Sequence, residues 1–296
     1  MSRQSVGVIG LGAMGGGMAR SLLRAGHDVH VYDVRKDIAA AFAQEGGQAH
    51  ETAAGLAHHC EVVISVVVNA AQTESVLFGE QGCAAAMSPG AVFVMCSTVD
   101  PGWSANLEAR LGDMGLLYID APISGGAAKA ASGEITMMTA ARPEAYAQCE
   151  ALFDAMAACV YKLGDHAGAG SKVKIINQLL AGVHIAAAAE AMALGLREGV
   201  DPQALYEVIT HSAGNSWMFE NRMAHVLAAD YTPLSAVDIF VKDLGLVLDM
   251  ARASKFPLPL SSTAHQMFMQ ASTGGHAHED DSAVIKIFPG IALPGA

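Results

Sequence analysis

Gly10, Gly12 and Gly15 stand in the G-x-G-x-x-G spacing within the stretch VIGLGAMGGGMARSLL. A strand-like run, SVGVIG, precedes them and a helix-like segment follows. A second strand-like run, HDVHVYD, ends at Asp33. This is the order of a dinucleotide-binding turn, in which an acidic residue lies about 20 residues beyond the glycines. Gly10 permits the tight turn, Gly12 lets the backbone approach a pyrophosphate, and Gly15 allows close packing of helix on strand. The helix start offers unpaired N–H donors to the anion, with Leu11, Ala13 and Met14 completing the loop. The Asp33 carboxylate can accept hydrogen bonds from ribose hydroxyls and would repel a 2′-phosphate, which points to NAD as the cofactor. Arg35 could hold such a phosphate or stack on adenine; it reads equally as a solvated arginine at a helix start.

A second stretch with chemical potential is GAGSKVKIINQ, residues 168–178. If 171–198 is helical, Lys174, Asn177 and Gln178 fall at i, i+3 and i+4 and share a face, whereas Lys172 points elsewhere. Lys174 then reads either as an inward-facing cation or as a surface lysine lying along apolar neighbours. Taken alone, Thr98 in CSTVDP is a helix cap or turn residue, and Ser124 ahead of two glycines is a turn former. Lys242 is spaced i, i+4 from Asp238, usually a surface pair of small value. The best metal candidate is HAHEDD, residues 276–281, but it follows STGG in a polar loop and lacks flanking partners to orient ligands. No metal is assigned.

The elements that must position these residues change character along the chain. Up to about residue 164, β-rich runs (SVGVIG, HDVHVYD, CEVVISVVV, AVFVMCS, LLYIDAPI, ITMMTA) alternate with helix-like segments. Such alternation predicts a largely parallel sheet with helices on its faces. Beyond it the pattern is helical: 171–198, a piece starting near Pro202, one over 234–253, and another after the FPLP break at 256–259. The expected fold is α/β, a doubly wound sheet over residues 1–164 joined by a long helix to an all-helical domain over 165–296. A length of 296 residues with 52% hydrophobic residues suits two cores.

A formal charge of −12 argues against nucleic acid and anionic membrane surfaces as partners. The five cysteines show no C-x-x-C spacing, as expected of reduced thiols in the cytoplasm. No targeting segment is read at the N-terminus. The apolar run over 179–196 is interrupted by His184 and Glu190 and rich in alanine, so a buried helix is expected rather than a membrane span.

Four blocks in order resemble the β-hydroxyacid dehydrogenase family, which includes 3-hydroxyisobutyrate dehydrogenase and tartronate semialdehyde reductase. They are GLGAMGGGMA from Gly10 to Ala19, DAPISGG from Asp120 to Gly126, the set Gly168, Gly170, Lys174 and Asn177, and Lys242-Asp243-Leu244. The likeness spans essentially the whole chain. It implies that Lys174 is catalytic, that Asn177 and Gln178 face the substrate, and that Ser124, Gly125 and Gly126 bind its carboxylate. It also places Thr98 and Lys242 at the cofactor, with Val67 and Val68 along the cofactor's edge. Gln178 stands where a second asparagine is common, and VVVN at 66–69 where leucine-proline is usual.

The implied chemistry is hydride transfer from an alcohol carbon to NAD+. The hydroxyl must lose its proton, and a neutral amine beside it can accept that proton. Burial and a positive nicotinamide ring both disfavour the ammonium form. A dinucleotide-dependent scaffold of the same fold is the other class considered, but it would need neither Lys174 with Asn177 nor the SGG anion site. Within the family, the stretches HSAGNSWMFENR and DYTPLSAVDIFVKDLGLV look most like the branch acting on small sugar acids. Asn215 and Ser216 suit a polyhydroxylated acid, with helix capping as their plain alternative. A stripe of Val237, Phe240, Val241, Leu244, Val247, Leu248 and Ala251 suggests a homodimer or homotetramer.

Overall fold

The computed structural model describes residues 3–295. Contacts divide the chain into two compact units after Lys174. In the first, a parallel sheet runs β3-β2-β1-β4-β5-β6, built from β1 (Ser5–Ile9), β2 (Asp28–Tyr32), β3 (Gln48–Ala49), β4 (Val62–Ser65), β5 (Val92–Met95) and β6 (Leu117–Asp120). Side chains alternate across a strand, so Val62, Ile64, Val92 and Val94 enter one apolar cluster, and Val63, Phe93 and Met95 another. Helices cover both faces. On one, α1 (Gly15–Arg24) contributes Met18 and Leu22; on the other, α3 (Ala53–Ala57), α4 (Ala70–Phe78) and α5 (Pro101–Asp113) contribute Leu56, Leu77 and Leu107. Burial on both faces is why β1, β4, β5 and β6 read as near-continuous apolar runs, whereas β3, exposed at the sheet edge, does not.

The run LLYIDAPI, read as one strand, is two. After β6 the chain turns at Ala121 and Pro122 into β7 (Ile123–Ser124), the first strand of a second sheet ordered β7-β8-β9. Here β7 is antiparallel to β8 (Ile135–Thr139), which is parallel to β9 (Ala157–Lys162). The strand β9 escapes the sequence reading because it lies at a sheet edge and exposes most of its residues, leaving no apolar alternation to detect.

His30 on β2, His50 after β3 and His59 after α3 come together, their ring centroids 5.1, 5.4 and 5.2 Å apart. His30 Nδ1 lies 2.8 Å from His50 Nε2. His59 has no pattern in the sequence; the fold alone gives it these neighbours. Four cysteines, Cys60, Cys83, Cys96 and Cys149, are buried thiols, and Cys159 is exposed on β9. Burial pushes Cys60, Cys83 and Cys149 up to about 12.

The second unit is helical. The helix α8 (Ala169–Arg197) begins in the first unit and supplies Ile185, Ala189 and Met192 to the core of the second. By length and composition it could cross a membrane, but half of its most apolar window is buried and His184 and Glu190 lie on its exposed side. Packed with it are α10 (Trp217–Leu227), α11 (Val237–Ser254) and α12 (Pro259–Ala271), with α9 (Pro202–Thr210) between α8 and α10 in sequence. The helix α10 was not expected; Ser216 caps it, its Oγ accepting from the Phe219 amide at 3.0 Å. The stripe read on α11 as a partner surface is instead spent internally, since Val237, Phe240, Leu244 and Val247 lie in the core of their own unit.

Candidate active site

The glycine turn connects β1 to α1 at the carboxyl end of the sheet. Gly10 has φ +91°, and a Cβ there would lie 2.6 Å from the Val66 carbonyl oxygen. One on Gly15 would lie 1.9 Å from the Gly10 carbonyl oxygen. Both glycines are therefore required by the backbone itself. At Gly12 nothing lies within 4 Å of such a Cβ. Its missing side chain serves no internal contact and leaves the backbone open to a close ligand, as a pyrophosphate requires. Asp33, buried at the end of β2, faces this loop: its Oδ2 accepts from the Leu11 amide at 2.7 Å and its Oδ1 from the Arg35 amide at 2.9 Å. Each oxygen retains a further acceptor position for ribose hydroxyls. The Arg35 side chain is mostly exposed, with Nε 3.5 Å from Asp33 Oδ1.

Val67, Val68 and Thr98 follow β4 and β5, adjacent strands of the same sheet. Ser97 ties the two ends together by donating from Oγ to the Val67 carbonyl at 2.8 Å. Val68 is exposed, its amide donating to Gln72 Oε1 at 2.8 Å. The parallel strand ends thus gather the glycine loop, Asp33, Val67, Val68 and Thr98 on one edge, the position where open α/β sheets bind ligands. These residues fit a nicotinamide dinucleotide.

Ser124 ends β7, and Gly125 and Gly126 follow at φ +133° and +76°, values that side chains rarely adopt. They open α6 (Gly126–Ser132). Lys174 lies in the second turn of α8 and is 7% exposed, whereas Lys172 is exposed. Three residues on, Asn177 Nδ2 donates to Gln178 Oε1 at 3.1 Å. Gln178 Nε2 donates in turn to Asp243 Oδ2 at 2.6 Å, and Lys242 Nζ lies 2.7 Å from Asp243 Oδ1. Lys242 is thus paired with its neighbour Asp243, while Asp238 accepts from Ser272 Oγ at 2.6 Å.

Three polar residues have structural ties that the sequence reading gave no role. Asp243, 2% exposed, links Gln178 to Lys242 within one unit. Asp120 and Ser171 join β6 to the start of α8, with Ser171 Oγ donating to Asp120 Oδ1 at 2.6 Å. Both aspartates sit inside the quoted blocks, but spacing alone does not reveal what a buried carboxylate binds. In HAHEDD, His276 contacts Glu279, Glu279 pairs with Lys286, and buried Asp281 pairs with Arg222. Among the described residues no group of three or more His, Cys, Asp or Glu is arranged to hold a metal. Asn215 Nδ2 donates to the Thr210 carbonyl at 3.1 Å, while Ser216 is spent as the α10 cap.

The family model described as the NAD binding domain of 6-phosphogluconate dehydrogenase matches residues 5–164. A second, described as NAD-binding of NADP-dependent 3-hydroxyisobutyrate dehydrogenase, matches 168–288. A curated relative from Cupriavidus necator, named L-threonate dehydrogenase, is 68% identical over 100% of this chain and 99% of its own length. The chain belongs to the β-hydroxyacid dehydrogenase family. Another L-threonate dehydrogenase, from Escherichia coli, is 51% identical over 98% of this chain and 97% of its own. Among solved members of this β-hydroxyacid dehydrogenase fold, a 3-hydroxyisobutyrate dehydrogenase from Salmonella typhimurium superposes with a TM-score of 0.93 at 52% identity. That likeness covers 96% of this chain and 100% of the other.

Proposed function

We propose that the chain oxidises a hydroxyl of L-threonate to the keto acid with NAD+ as acceptor. The observation carrying this reading is the full-length 68% identity to a relative named L-threonate dehydrogenase, with all four blocks kept. NAD rather than NADP is favoured by the Asp33 carboxylate facing the glycine loop. Residues 1–164 are assigned to dinucleotide binding, and 165–296 to substrate selection and assembly into a homodimer or homotetramer. Exposed Ile176, Leu180 and Leu194 on α8 support assembly. A cytoplasmic location fits the free thiols.

The bound dinucleotide supplies the hydride acceptor. As the C–H bond of the alcohol carbon breaks and the C=O bond forms, the hydroxyl proton must leave. Lys174 Nζ takes it and becomes the ammonium; in reduction the same group returns it to the carbonyl oxygen. The Ser124 hydroxyl and the Gly125 and Gly126 amides hold the substrate carboxylate, a compact donor cluster matched to an anion. Asn177 and Gln178 orient the substrate beside Lys174. Gly10, Leu11, Gly12, Ala13, Met14, Gly15, Asp33, Val67, Val68, Thr98 and Lys242 hold the dinucleotide.

Sites built to pair hydroxyls discriminate strongly against analogues that lack them, because buried polar groups are then left unsatisfied. With NAD+, kcat/KM for L-threonate should exceed that for 3-hydroxyisobutyrate by about 10²-fold or more. The reverse order would overturn the substrate assignment while leaving the reaction class intact.

A further inference from the structure

The helix that carries Lys174 lacks an ordinary cap. The four leading amides of a helix need acceptors, usually supplied by a side chain immediately before it. Here that neighbour is Gly168, at φ +100°. The acceptor comes instead from far back in the chain: Asp120 Oδ2 accepts from the Gly168 amide at 2.8 Å and the Ser171 amide at 2.9 Å. Asp120 Oδ1 accepts from Ser171 Oγ at 2.6 Å.

This contact is tight as well as polar. A Cβ on Gly170 would lie 2.4 Å from the Met138 carbonyl oxygen and 2.9 Å from that of Asp120, so the first turn of α8 rests directly on the backbones of β6 and β8. A Cβ on Gly168 would lie 2.9 Å from the Pro101 carbonyl oxygen. The strand β8 in turn pairs with β7, matching Ser124 with Thr136. Ser124 is four residues beyond Asp120, and Lys174 is three beyond Ser171, less than one helical turn. The serine and the lysine are thereby referred to one rigid frame whose joint is the Asp120 carboxylate. Burying that carboxylate, which is 0% exposed, is unfavourable by itself and raises its pKa; three hydrogen bonds and the positive helix end offset the cost. Nothing in the hydride-transfer chemistry consumes it.

We infer that Asp120, acting through Ser171, is the positioning residue that fixes the height and rotation of the first turns of α8, up to Lys174, and so the place of the Lys174 amine against the substrate held at Ser124. The inference rests on the assignment of Lys174 as proton acceptor. A misplacement of about 1 Å in a reacting group can cost on the order of 10²-fold in rate.

The test uses Ser171→Ala, which keeps both backbone bonds to Asp120, and Asp120→Asn, which keeps the shape but not the charge. In each variant, kcat per nucleotide-binding site should fall about tenfold or more, while KM for L-threonate and for NAD+ stays within about twofold. Ser171→Thr, which restores the hydroxyl, should recover most of the Ser171→Ala loss. In the protein without nucleotide, amide hydrogen exchange over residues 168–174 should accelerate in both variants. In a Lys174→Ala background, Asp120→Asn should cost nothing further, because the group it positions is gone. Unchanged kcat in folded Ser171→Ala, a loss confined to KM, or an equal further loss in the Lys174→Ala background would overturn the inference. Near-normal turnover of Lys174→Ala alone would instead refute the assignment of the lysine.

Discussion

Asp33 Oδ2 accepts a 2.7 Å hydrogen bond from the Leu11 amide, fastening the end of β2 to the glycine loop that follows β1. On the proposed reading, this carboxylate would face the adenosine ribose at the loop. Replacing it by an amide keeps an acceptor for Leu11 and removes the repulsion of a 2′-phosphate. Asp33→Asn should therefore shift the ratio of kcat/KM for NAD+ over NADP+ toward NADP+ by about tenfold or more. Equal efficiency with both cofactors in the unaltered protein would show that Arg35 outweighs Asp33.

Gly12 and Gly15 separate binding from folding. A methyl group on Gly15 collides with the Gly10 carbonyl, and one on Gly12 meets nothing. Gly15→Ala should cost about 1–3 kcal/mol or more and lower Tm by several degrees. Gly12→Ala should leave Tm nearly unchanged and raise the Kd for NAD+ by about tenfold or more, measured by titration. A Gly12→Ala protein that binds NAD+ normally would remove the pyrophosphate from this loop.

Lys174 is buried and Lys172 exposed on the same helix. Lys174→Ala should lower kcat by about 10²-fold or more with the Kd for NAD+ nearly unchanged, whereas Lys172→Ala should stay within about twofold. Steady-state rates and nucleotide titration on the two variants decide it, and comparable losses in both would count against a specific role for Lys174.

Stability should weaken on mild acidification through the histidines of the sheet edge. Burial lowers the pKa of His30 and of His50 below the ordinary value of 6.5; nearby His59 adds to this for both, and Asp28 opposes it for His30. His27 is lowered too, again first by burial. Between the depressed folded values and 6.5 the unfolded chain binds more protons, so their contribution is complete above about pH 6.5 and is lost as pH falls through that window. Acidification from pH 7 to pH 5 should lower Tm more in the unaltered protein than in His50→Gln; buried Asp281, raised to about 6, acts in the opposite sense in both proteins and cancels from the comparison. Parallel curves for the two proteins would exclude the cluster as a source.

Five strands of the large sheet, β1, β2, β4, β5 and β6, are legible because they are mostly buried, whereas the two exposed residues of β3 leave no apolar signal; the glycine loop is legible because its spacing and flanking elements constrain each other. Lys174, Asn177 and Gln178 fell on one helix face by counting alone. What counting could not supply were contacts between distant segments. Asp120 meets Ser171 across 51 positions, and Asp243 meets Gln178 across 65. The α11 stripe was read correctly as apolar and wrongly as a partner surface, since periodicity reports a buried face without saying what buries it. Ser216 went the other way: a residue considered for substrate contact is a helix cap.

The distribution of thiols gives the chain a built-in attachment point. Four sulfurs are buried, and Cys159 stands exposed on an edge strand. A maleimide dye or a surface linker would therefore find a single address per chain, remote in sequence from the glycine loop and outside every block that carries the chemistry. Fluorescent or immobilised forms of the enzyme need no engineered cysteine and no removal of native ones.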